Sequence, residues 1–163
     1  MTFPGVPPFG PPDVLLVVLM LVASWTDIRT MKIKNWLTFP LMLTGVVLSF
    51  WFLPHGWDGA AGLLVALLAC LPLYRVGPVL SAGDVKMLMA AGALMGPELV
   101  LRAVLFSVAL ILPVGLVMLT VTRRWGRVRE VLAGKAAPTM LFHAPVISVA
   151  LLLARLQPLP EIW

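Results

Sequence analysis

Long apolar runs, separated only by short turns, leave this chain few ways to fold. They span roughly 14–26, 36–53, 59–73, 85–95, 99–122 and 139–157. A backbone passing through hydrocarbon must satisfy its own hydrogen bonds, so runs of this kind predict helices rather than open sheet. The breaks carry turn chemistry: Pro54-His55-Gly56, Gly77-Pro78 and Gly96-Pro97. The expected fold is therefore all-α, a polytopic membrane protein with about six transmembrane helices. It forms one domain over 1–163, with a Pro-rich outer tail at 1–12 and a basic cytoplasmic loop at 123–138.

Composition agrees with that solvent. The chain is 61% hydrophobic and only 12% charged, whereas soluble domains carry about 25% charged residues. Its net charge of +5 would suit a nucleic-acid partner if it formed a patch, but the bases sit in short segments between apolar runs. Ten of the twelve fall on one side: Arg29, Lys32, Lys34, Arg75, Lys86, Arg123, Arg124, Arg127, Arg129 and Lys135. The other side receives Arg102 and Arg155, each near a helix end from which it can snorkel. This asymmetry predicts that the first side is cytoplasmic and both termini are outside. Trp25, Trp36 and Trp125 at one boundary, and Trp51, Trp57 and Trp163 at the other, read as aromatic belts. Met1 to Pro12 has no basic residue, so the first apolar run reads as a retained helix rather than a cleaved signal.

Most carboxylates have ordinary readings. Asp13, Asp58, Glu98 and Glu161 fall in outer loops or tails and Glu130 in the basic loop, where solvation suffices. Asp27 and Asp84 differ in depth. Asp13 to Asp27 and Asp84 to Glu98 are equal sequence intervals, each roughly 21 Å as helix, against a hydrocarbon core about 30 Å thick. Both acids then lie inside the inner leaflet, at matched depth. An intramembrane acid is a functional candidate by default. The structural alternative pairs each with the base two residues on, Arg29 or Lys86.

Two acids that approach one another share a proton. One then activates water while the other polarises an amide carbonyl, which is peptide hydrolysis without a metal or cofactor. Asp84 opens a helix, where the dipole favours negative charge, and Asp27 closes one. His55 and His143 fall on opposite sides of the membrane and read as surface or packing residues; no metal site follows from them. The single cysteine, Cys70, lies in an apolar run and reads as buried packing.

The residues around the two acids carry a resemblance. Thr26-Asp27-Ile28-Arg29, followed by Ile33-Lys34-Asn35-Trp36-Leu37-Thr38, resembles the first signature of the type IV prepilin peptidases. Ser81-Ala82-Gly83-Asp84-Val85-Lys86 resembles the second, Gly-x-Gly-Asp followed by Val-Lys. The chain most resembles the short form that serves tight-adherence (Flp) pili. It departs at Ser81, where the family has its first glycine, and at Lys34, where it usually has proline.

The resemblance implies a GxGD-type aspartyl protease of the bacterial inner membrane. It would cut the short basic leader from prepilins or pseudopilins at the cytoplasmic face, next to pilus-assembly or secretion machinery. Carried over residue by residue, it makes Asp27 and Asp84 the catalytic pair and gives Gly83, Lys86 and Asn35 supporting places. Larger members add a domain with paired Cys-x-x-Cys motifs and methylate the new N-terminus. With one cysteine, this chain is expected to be a peptidase without that activity. Two other readings use the same residues: a small proton- or ion-coupled transporter, and a noncatalytic membrane component of pilus assembly.

Overall fold

The computed structural model describes residues 9–30, 32–76, 80–121 and 143–156. The basic loop at 123–138 lies outside them, as do Glu130 and Glu161. Within the described residues all regular structure is helical: α1 Pro11–Thr30, α2 Asn35–Phe52, α3 Asp58–Val76, α4 Ala82–Met95, α5 Pro97–Val121 and α6 His143–Leu156. Each expected apolar run meets one of these helices. Three of them, α1, α2 and α3, are long and apolar enough to cross a membrane.

Helix ends extend past the apolar runs because capping groups carry them. Pro11 and Pro12 open α1, where a missing backbone N–H costs nothing. Asp13 accepts the Gly10 N–H at 2.8 Å, so an acid assigned to bulk solvent holds the first turn. Asp58 does the same for α3, accepting the His55 N–H at 3.0 Å. Each acid lies where the helix N-terminus favours negative charge.

The short helix α4 is the axle of the bundle. It packs against α1, α2, α3, α5 and α6, and every residue from Ala90 to Met95 is buried. A helix so enclosed must be apolar all round, and Ala90-Ala91-Gly92-Ala93-Leu94-Met95 is. Small residues let its neighbours approach. A Cβ on Gly62 of α3 would overlap the Gly92 backbone, and one on Gly45 of α2 would lie 2.7 Å from the Ala93 carbonyl carbon. Without a hydrophobic drive between helices in lipid, backbone approach of this kind supplies dispersion contact. Cys70 is fully buried beside this core, as its apolar setting predicts.

Helices α1 and α6 run antiparallel, and polar contacts record their register. Asp27 meets Ala144, Ser24 meets Ser148 at 3.0 Å, and Asp13 meets Arg155 at 2.6 Å. The outward faces of α1 and α2 are apolar and exposed, with Leu21, Trp25, Leu43, Phe50 and Trp51 among them. Such faces suit a bilayer rather than water. Two ends follow from this packing. At one, α1 finishes while α2, α4 and α6 begin; at the other sit Asp13, Arg155, Glu98 and Asp58.

Candidate functional site

Asp27 lies on α1, one turn before its end, and is 9% exposed. Its Oδ2 accepts the Ala144 N–H at 3.1 Å. Ala144 is the second residue of α6, so its N–H is among those a helix leaves without an internal partner. Arg29 does not pair with Asp27; its guanidinium stacks over Trp25, 4.3 Å from the ring centroid.

Asp84 lies in the first turn of α4 and is 2% exposed. The local sequence builds a capping box there. Ser81 is the N-cap, its N–H donates to Asp84 Oδ2 at 2.7 Å, and the Asp84 N–H donates to Ser81 Oγ at 3.3 Å. These reciprocal bonds satisfy two backbone donors and fix the carboxylate's direction. Serine at the departing motif position thus has a structural function of its own. Lys86 turns away from Asp84: its Nζ donates to Asn35 Oδ1 at 3.0 Å and sits over the Phe39 ring.

Pairing with adjacent bases is therefore not how either acid is accommodated. Among the described residues no lysine or arginine lies within ion-pair reach of Asp27 or Asp84. Instead His143 Nδ1 lies 3.3 Å from Asp84 Oδ2. Consecutive residues of α6, His143 and Ala144, thus touch one acid each, and Asp84 lies within electrostatic reach of Asp27.

This corrects the reading of His143 as a surface or packing residue. Its side chain is 14% exposed and directed at an acid. Nothing local in the sequence signals that, because the contact joins the start of α6 to the start of α4. His55 is at the far end, 68% exposed and 3.5 Å from Asp58. Asp27, Asp84 and His143 do not assemble as metal ligands: among the described residues no group of three or more His, Cys, Asp or Glu could hold an ion.

The supporting positions fall at the same end. The Lys86–Asn35 bond ties the start of α2 to the first turns of α4. A Cβ at Gly83 would come 3.3 Å from the Cβ of Ile33, tighter than ordinary contact, so glycine lets the loop before α2 lie against α4. Lys34, the N-cap of α2, has φ −79° and ψ 132°. Proline fixes φ near −65 ± 15°, so the lysine keeps the backbone that a proline would impose.

A helical membrane protein with two buried carboxylates at one helix N-terminus falls in the class of membrane proteins with an enclosed acid site. The family comparison narrows it. The profile of the type IV leader peptidase family matches residues 14–116, and the chain belongs to that family. That span contains Asp27 and Asp84 but stops before α6, which carries His143 and Ala144. Neither curated proteins nor solved structures give a significant match.

Proposed function

We propose that the protein is an aspartyl leader peptidase that removes the basic leader of prepilins or pseudopilins at the cytoplasmic boundary of the inner membrane. The observation that carries this reading is the convergence of Asp27 and Asp84 on one turn of α6, in a chain of the leader peptidase family. The apolar runs support six spans, and the charge asymmetry of the loops supports both termini outside with this end of the bundle toward the cytoplasm. The resemblance of the Asp27 and Asp84 motifs supports a substrate from tight-adherence pilus systems.

The chemistry divides between the two acids. Asp84, with the Ser81 N–H and the start of α4 at its carboxylate, is the ionised member and takes a proton from water. The resulting hydroxide oxygen bonds to the scissile carbonyl carbon as protonated Asp27 donates to the carbonyl oxygen. Collapse of the tetrahedral intermediate breaks the C–N bond: one hydroxyl proton returns to Asp27 as the C=O re-forms, and the amine leaves with the proton held by Asp84. The proton as a thermodynamic quantity belongs to the pair.

A transporter would need polar groups throughout the membrane. On α1 the buried residues between Asp27 and the Asp13 end are Ala23, Met20, Leu19 and Leu16. That apolar stretch favours a one-sided site. The test is co-expression with a prepilin encoded nearby, read as pilin size on a gel, for wild type, Asp27→Asn and Asp84→Asn at matched membrane abundance. Cleavage by wild type alone is expected. Processing by both variants would sink the assignment.

A further inference from the structure

The group that touches Asp84 most directly from another helix is neither a base in its own motif nor anything within the family match. It is His143, whose Nδ1 stands 3.3 Å from Asp84 Oδ2. Asp84 is almost wholly enclosed, and enclosure disfavours a carboxylate. Three features oppose that penalty: the Ser81 N–H, the N-terminus of α4 and the facing imidazole. The first two are permanent, because backbone dipoles do not titrate. The third is a side chain, and it opposes the penalty only when it carries a proton.

We propose that His143 is a positioning residue for the acid pair: as an imidazolium it holds Asp84 in the carboxylate form and in place, leaving the shared proton on Asp27. This deepens the peptidase reading and rests on it for its consequence in catalysis, though not for the contact itself. The same turn of α6 then serves both acids by different means. The Ala144 N–H donates to Asp27 Oδ2, which leaves Oδ1 to carry the proton for the substrate carbonyl. The imidazolium stabilises negative charge on Asp84. One helix start imposes the asymmetry that a pair of identical acids lacks.

The titratable groups around this contact are few. From α1 the neighbour is Asp27 and from α4 it is Asp84 itself, and Cys70 of α3 lies within electrostatic reach of Asp84. On α5 the charged side chains are Glu98 and Arg102, paired to each other at 2.8 Å at the opposite end. On α6 itself the other charge is Arg155, which meets Asp13 there. Lys86 of α4 and Asn35 of α2 are engaged with each other. The imidazole is the basic side chain within ion-pair distance of Asp84 among the described residues.

Two readouts separate this from a packing role. A hydrophobic carbodiimide adds to protonated carboxyl groups, so its attachment to Asp84, read by peptide mass, reports the neutral form without any need for cleavage. At neutral pH, His143→Gln should label Asp84 about tenfold faster than wild type, the low end of what loss of a facing opposite charge does to a carboxylate. His143→Lys keeps a cation and should label at the wild-type rate. In membranes containing a prepilin at neutral pH, His143→Lys should cleave at the wild-type rate and His143→Gln should be slow. Equal labelling of Asp84 in wild type and His143→Gln, in protein of equal membrane abundance, overturns the proposal, as does labelling of His143→Lys at the His143→Gln rate. If Asp27→Asn and Asp84→Asn both still cleave, the peptidase assignment fails, and the labelling alone decides what His143 does.

Discussion

The two ends of this bundle hold buried carboxylates by opposite means. At one end Asp13 meets the Arg155 guanidinium at 2.6 and 3.1 Å and the Gly10 N–H at 2.8 Å, with acid and base each 14% exposed. Arginine does not lose its proton, so this pair is fixed in charge and joins the start of α1 to the end of α6. At the other end Asp27 and Asp84 have backbone N–H donors and a histidine. Those partners orient a carboxylate while leaving its protonation free to change. The same two helices, α1 and α6, thus carry a static lock at one end and a protonation-competent pair at the other.

The difference between the ends makes distinct predictions. The largest effect is expected at the acid pair. Asp27→Asn or Asp84→Asn should lower prepilin cleavage by about 10⁴-fold, in line with removal of a member of a catalytic group, with membrane abundance unchanged. If either variant loses abundance along with activity, that acid is structural like Asp13.

Next comes the packing that holds both ends in register. Gly62→Leu should destabilise the detergent-solubilised protein by about 3 kcal/mol or more, since a side chain has no room against the Gly92 backbone. Thermal unfolding measures it.

A smaller loss is expected at the lock. Asp13→Asn should cost about 1–3 kcal/mol by leaving a partly buried guanidinium poorly matched. The folded fraction should still cleave at the wild-type rate, which is the sharpest contrast with Asp27.

The smallest effects belong to the motif departures. Ser81→Gly removes the Oγ acceptor but keeps the N–H to Asp84, and a glycine N-cap costs only a few tenths of a kcal/mol. Lys34→Pro suits the φ of −79° already present and should stabilise by about 0.4–1 kcal/mol through the unfolded chain. A large loss of cleavage in either variant would show that these positions act on the site rather than on loop geometry.

How these two ends relate to the sequence is uneven. The helices were legible because hydropathy is a local property: each apolar run meets a helix, and among the described residues breaks fall at Pro54-His55-Gly56 and at Gly96-Pro97. The matched placement of Asp27 and Asp84 was legible too, because equal helical intervals from Asp13 and Glu98 carry them to one end of the bundle. Arg155 was readable as a base near a helix end, but its partner was not. Asp13 and Asp58 looked like solvated loop acids and turned out to hold helix starts. His143 looked unremarkable because its neighbours in sequence say nothing of the helix it faces.

By itself, then, the sequence determined a helical membrane protein with two acids set apart from all others, since hydrophobic length and helical rise are counted along the chain. Tertiary structure alone decided what stands beside those acids. The Ala144 N–H and the His143 imidazole reach them only because α6 lies antiparallel to α1 and against α4. That register is recorded by the Ser24–Ser148 bond and the Asp13–Arg155 pair between helices. Contacts of that kind are set by shape across the bundle, and no window of sequence contains both halves of them.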